Sequence, residues 1–242
     1  MTVARHHQSK YSPAKLALGL VLTAALAAGC AYTGGVGEPF SRKFQWFSYI
    51  AGDDIRANCK AGSPAQYRLV YNANWQEQVR AYDVRRSVIV GGGARMWAQV
   101  FGGDAPITNF TINDPQAPWR GEGGQASLSE DQYLALIRAV EVSGFGQPSP
   151  EGLRLDSWDF YWVVTACADG QFHMNAWKYP SDRFAAISFD KPLFAADNTG
   201  KRVNPPGPVD SAVARAEADR LKQYYFQLRV GRNGFVGSDP LF

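Results

Sequence analysis

The sequence predicts an α+β fold: an antiparallel sheet, built from a meander and a hairpin over 158–179, with two main helices at about 128–143 and 210–228 packed on it. Three observations carry this expectation. From Gln66 onward apolar side chains recur at every second position, Asp169-Gly170 divides two long apolar runs, and two later segments place apolar residues at helical spacing.

In chain order, the aromatic-rich stretch from Ser41 to Ile50 reads as helix, and Asp53 as the cap of a second short turn reaching Asn58. Tyr67, Leu69 and Tyr71 then fall on one face of a strand. After a turn near Asn72–Asn74, Val79 and Ala81 alternate with Arg80 and Tyr82. Ser87–Val90, Arg95–Phe101 and Ile107–Ile112 are further strand-like runs, which together make a meander. Gly102–Gln125, with Pro106, Pro115, Pro118 and several glycines, reads as loop. Ser127-Leu128-Ser129-Glu130 has the spacing of a capping box, in which the serine oxygen and the glutamate carboxylate each satisfy an amide at a helix start. Tyr133, Leu136, Ile137 and Val140 continue that helix, and Gly144 stops it. Trp158–Ala168 and Gln171–Tyr179 flank Asp169-Gly170, a dipeptide suited to a two-residue type I′ turn. That turn sets the register, with Ala168 opposite Gln171 and Trp162 opposite Trp177. The second main helix, from Asp210 to Leu228, carries Val213, Leu221, Tyr224 and Leu228 as its apolar stripe.

Of the 242 residues, 45% are hydrophobic and 19% charged, which is enough apolar material for a core and excludes a disordered chain. The N-terminus carries Arg5, Lys10 and Lys15 without an acidic residue, then an apolar or small stretch from Leu16 to Gly29. That stretch is shorter than the ~20 residues a membrane-crossing helix needs, and has the pattern of a secretory signal peptide. Residues 1–29 are therefore expected to be removed. They hold three cations and no anion, so the 25 Lys and Arg against 22 Asp and Glu of the whole chain become an even balance in the remainder. Arg42-Lys43 and Arg85-Arg86 are pairs rather than runs, so the basic footprint that nucleic-acid binding requires is missing.

Leu26-Ala27-Ala28-Gly29-Cys30 resembles the lipobox of bacterial lipoproteins, with Leu26 one position farther from the cysteine than in the commonest form. The resemblance is confined to residues 1–30. It implies a diacylglycerol thioether on Cys30, with palmitate-type acyl chains, and a cell-envelope protein facing the periplasm. Two or three acyl chains hold firmly where one is marginal. Ala31 follows the cysteine, and lipoproteins kept at the inner membrane usually have Asp there, so the outer membrane is the expected address. The competing reading is cleavage after Ala25-Leu26-Ala27, an A-x-A site, which releases a soluble periplasmic protein. Residues 30–40, with Gly34, Gly35, Gly37 and Pro39, read as lipidated cysteine plus tether, and 41–242 as a single domain.

With Cys30 acylated, Cys59 and Cys167 remain, in an oxidising compartment, and a disulfide between them is the economical expectation. Two unpaired buried thiols are the alternative. Catalytic parts are scarce. His173 is the one histidine beyond the signal peptide, and no zinc motif, G-x-S-x-G elbow or Gly-Lys-Ser/Thr after Gly91-Gly92-Gly93 is present. No metal or cofactor is expected. Two readings of function follow: a lipid-anchored envelope protein with a non-enzymatic binding or structural role, its partner an envelope protein or cell-wall glycan, or an envelope hydrolase using His173 with Asp and Ser, or a carboxylate pair such as Asp53-Asp54 or Asp156/Asp159. The hairpin register puts Trp162, Trp177, His173 and Asn175 on one face. That face is either covered by a helix, as a second core layer, or open as an aromatic, hydrogen-bonding ligand platform.

Overall fold

A computed structural model describes residues 46–75, 77–102, 122–210, 216 and 226–239. Its centre is a six-stranded antiparallel sheet in the order β4-β3-β2-β1-β6-β7, formed by β1 (Gln66–Ala73), β2 (Gln78–Arg86), β3 (Ala94–Gly102), β4 (Glu122–Leu128), β6 (Phe160–Ala168) and β7 (Gln171–Lys178). The fold is thus α+β; β1, β2 and β3 form the core of the expected meander, and β4 adds a strand that the sequence reading placed in a loop. A smaller sheet, in the order β5-β8-β9, joins β5 (Arg154–Asp156), β8 (Gln227–Gly231) and β9 (Gly234–Asp239). Helices α1 (Asp53–Asn58), α2 (Glu130–Val142), α3 (Asp182–Ala185) and α4 (Asp190–Ala196) complete the described elements, with residues 46–51 also helical.

The large sheet buries both faces of its central strands, β1 and β6 above all, because these are apolar on both. On the first, Leu69, Tyr71, Val84, Met96, Trp162 and Trp177 pack under Tyr133, Leu136 and Val140 of α2 and under Phe189 and Leu193 at α4. On the second, Val70, Val79, Phe101, Tyr161, Val163 and Met174 meet Trp46, Tyr49 and Ile50 from residues 46–51, and Leu155, Leu228 and Val230 from the small sheet. Two arginines are buried within these layers. Arg68 is paired bidentately with Asp54 at 2.7 and 2.9 Å and with Asp83 at 2.9 Å, its guanidinium 3.7 Å over the Tyr49 ring. Arg80 meets Asp197 at 2.6 Å. One pair fastens α1 to the sheet; the other fastens the segment after α4.

The hairpin follows the Asp169-Gly170 rule closely. Both residues have positive φ, 51° and 74°, and Ala168↔Gln171, Cys167↔Phe172 and Trp162↔Trp177 are the observed pairs. Gly144 has φ 86° and ends α2, where the Phe145 amide reaches back to Val140 O and the Gly144 amide to Glu141 O.

Several expectations are corrected. The capping box at α2 is made by Ser129 and Gln132, two residues later than read, because Ser127 and Leu128 remain paired in β4 with Arg95 and Ala94. Glu130 instead accepts from Arg86 and from the Gly93 amide. Asp53 is not a cap: Gly52, at φ 69°, holds that position, and the Asp53 carboxylate accepts from Ser48. Ser87–Val90 is not a strand, since β2 ends at Arg86 and the chain turns back through Gly91 and Gly93, both with positive φ. Residues 122–125 belong to β4 rather than to a loop. Of the helix expected over 210–228, residues 211–215 and 217–225 lie outside the described residues, but Leu228 is in β8, opposite Leu155. Cys30, the tether, residues 41–45 and the run Ile107–Ile112 also lie outside them.

Candidate functional site

Register brings Trp162, Trp177, His173 and Asn175 onto the first face of β6 and β7, as pairing from the turn requires. The face is covered. Trp162 is 2% exposed, stacked on Tyr71 with centroids 4.8 Å apart and met edge-on by Phe189 at 5.1 Å. Trp177 is 1% exposed, 5.5 Å from Phe189, and donates its indole N–H to Ser143 O at 3.0 Å.

The polar atoms on this face have an occupant, and it is the chain itself. Asn175 donates from Nδ2 toward the carbonyls of Gly144, Phe145 and Gln147 at 3.2, 3.0 and 2.8 Å, and its Oδ1 accepts from Arg183 at 2.8 Å. His173 Nε2 lies 2.7 Å from Phe145 O, with the Phe145 ring edge-on to the imidazole at 4.9 Å. A carbonyl only accepts, so Nε2 carries the hydrogen. Together with the Trp177 bond to Ser143, these contacts hold the loop 143–147 that follows α2. The side chains that an open face would have offered to a ligand instead bind peptide backbone from within their own fold.

The hydrolase parts are likewise engaged. Among the described residues no serine or aspartate oxygen bonds to the His173 ring. Asp54 is bidentate to Arg68 and Asp53 is taken by Ser48. Asp159 and Asp156 both face the Lys178 ammonium, at 2.6 and 3.7 Å, and Asp159 Oδ2 also accepts from the Asp156 amide, closing the turn between β5 and β6. Burial raises the Asp159 carboxyl above its ordinary value, and the hydrogen bonds from Lys178 and Asp156 only partly offset that. Among the described residues no group of three His, Cys, Asp or Glu side chains could hold a metal ion.

Cys59 and Cys167 form a disulfide with Cα atoms 5.5 Å apart, linking the end of α1 to β6. Beside it lies an open cavity of about 300 Å³, lined in part by Ile55, Asn58, Gln66, Arg85, Arg86 and Cys167.

No family model, curated protein or solved structure matches the chain.

Sequence reasoning missed a feature at the end of the sheet that carries this cavity. The loop between β2 and β3 exposes Val88, Ile89 and Val90 to 82%, 72% and 100%. The signal was present: three β-branched residues directly before three glycines, with Arg85-Arg86 in front of them. Reading that run as strand concealed it, because an apolar run before a glycine cluster serves equally as strand or as tip.

Proposed function

We propose that this chain is a bacterial envelope lipoprotein, anchored through Cys30 at the outer membrane and facing the periplasm, whose folded body has a non-enzymatic binding or structural role. The pentapeptide Leu26–Cys30 behind a short apolar run is the observation that carries the reading. The Cys59–Cys167 disulfide supports it, since such bonds persist in the periplasm and are rare in a reducing cytosol. A role without catalysis is supported by the way the candidate groups are spent on structure: His173 and Asn175 on loop 143–147, Asp54 on Arg68, Asp159 on Lys178.

The test is fractionation of Cys30→Ser. Loss of the thiol removes the attachment atom, so the variant leaves the washed membrane pellet or accumulates unprocessed, while the parent stays in the pellet. A variant that fractionates and migrates like the parent ends the proposal.

A further inference from the structure

Single exposed aliphatic residues are ordinary on a protein surface, and Leu134, Val142 and Val236 are of that kind. Val88, Ile89 and Val90 are different, being consecutive and placed together at the closed end of the β2–β3 hairpin. The loop is held in shape. The Ser87 amide donates to Gly93 O and the Gly92 amide to Ile89 O, each at 2.9 Å, and Ser87 Oγ accepts from the Ile89 amide at 3.1 Å. Glu130 accepts from the Gly93 amide at 3.1 Å. A Cβ on Gly93 would fall 2.0 Å from Leu128 O, so the last glycine is required by the close approach of β4. With these backbone groups bonded inward, the three side chains project into solvent.

Below the tip stand cations. Arg85 and Arg95 face each other across β2 and β3, one residue pair below the last pair, Arg86↔Ala94. Like charges placed opposite each other weaken a strand pair, so this arrangement is not explained by sheet stability. Arg86 is paired with Glu130 at 2.8 Å, but Arg85 and Arg95 have no carboxylate partner among the described residues. Both lean on the half-buried Trp97 ring, at 5.4 and 5.9 Å from its centroid. Along the hairpin the order is aliphatic tip, cation pair, tryptophan. A phospholipid leaflet offers partners in that order: acyl chains for the tip, then the headgroup layer, where phosphates meet Arg and where Trp rings settle.

We propose that the β2–β3 tip is a membrane contact, with Val88, Ile89 and Val90 entering the acyl region of an anionic phospholipid leaflet and Arg85 and Arg95 meeting headgroup phosphates. The proposal goes beyond the anchor at Cys30 and does not depend on it. The two are geometrically compatible. Residues 31–45 are fifteen residues, which span up to about 50 Å when extended. The nine-residue β2 is only about 30 Å long. Anchor and tip together would fix the orientation of the body against the membrane, which a single point of attachment does not.

The test uses the chain as isolated from cells in detergent, with Val90→Cys carrying an environment-sensitive fluorophore and Val236→Cys, on β9, as the control position. Reconstituted on vesicles of phosphatidylcholine with phosphatidylglycerol, position 90 brightens several-fold and is quenched by nitroxides on the acyl chains, while position 236 is not. Arg85→Glu combined with Arg95→Glu lowers the quenched fraction about tenfold or more on these vesicles. Cosedimentation, read separately, reports the anchor. Protein that cosediments with position 90 still in water overturns the tip contact and leaves the anchor standing. Quenching of position 90 in a chain with unmodified Cys30 upholds the tip and removes the anchor. Equal quenching with the two glutamates in place contradicts the role given to Arg85 and Arg95.

Discussion

Trp162→Ala separates a covered aromatic face from an open one. The indole is 2% exposed, with ring neighbours Tyr71 at 4.8 Å, Phe189 at 5.1 Å and Phe194 at 5.8 Å, drawn from β1 and from the segment at α4. Those neighbours are themselves fixed. Tyr71 donates its hydroxyl to Asn204 O at 3.0 Å, and Phe189 also packs on Trp177 at 5.5 Å, so the site cannot collapse around an alanine. Loss of a buried tryptophan that leaves a cavity costs about 3–5 kcal/mol. For a domain of this size each kcal/mol moves Tm by roughly 2–4 °C, giving a fall of about 6–20 °C. Urea unfolding followed by near-UV circular dichroism and by fluorescence, with coincident transitions, gives the free energy directly. A loss below about 1 kcal/mol, with the near-UV spectrum otherwise retained, would mean that the indole does not pack as described and would return the face to solvent.

Four further outcomes are expected. Replacing both Cys59 and Cys167 by Ala opens a 108-residue loop and lowers stability by about 4–5 kcal/mol on the chain-entropy account, measured by urea titration under oxidising conditions. Arg80→Ala leaves the nearly buried Asp197 carboxylate unpaired and costs about 3–5 kcal/mol, whereas Arg86→Ala, at an exposed pair, costs under about 1 kcal/mol. Burial pushes Asp197 up, but hydrogen bonds from Thr199 and Tyr82 and the Arg80 charge together outweigh it and hold the carboxyl below its ordinary value. Its contribution is therefore complete above the unfolded value near 3.9 and lost as pH falls through the lower folded one, and Asp197→Asn flattens that acid limb of a stability–pH curve. Asp159 has the opposite sign: raised by burial, it favours folding as pH falls through its folded value toward the unfolded one, and Asp159→Asn removes that gain from the same curve.

The parts of the fold legible in the sequence are those where one local signal settles a geometry. Asp169-Gly170 fixed a turn whose hand matches the strand twist, and everything paired along β6 and β7 follows from it. The helix over 130–142 was legible from its stripe, although its start depended on whether Ser127 or Ser129 left the sheet first, a matter decided by pairing with β3 rather than by either serine. The β8–β9 hairpin was equally legible and was missed. Arg232-Asn233 joins Gly231 to Gly234, with Leu228 and Val230 alternating before it. The Asn233 side chain then bonds the Phe172 carbonyl and the Met174 amide at the open edge of β7. That contact joins residues about sixty apart, which no periodicity reveals.

The aromatic face shows why site reading fails differently from fold reading. Strand alternation correctly grouped Trp162, Trp177, His173 and Asn175, because a period of two is a property of the backbone. Whether the group faces water depends on where Phe189, Leu193 and loop 143–147 return in space, and those segments carry no signal addressed to β6. The Val88–Val90 tip was hidden by a different error, in which β-branched residues suggested a strand that the turn at Gly91–Gly93 prevents.

Attachment through Cys30 is decided by the mass of the N-terminal peptide of the protein recovered from cells. The expected peptide begins at Cys30 and carries a thioether-linked diacylglycerol. A peptide beginning at Ala28 with an unmodified Cys30 thiol would contradict it.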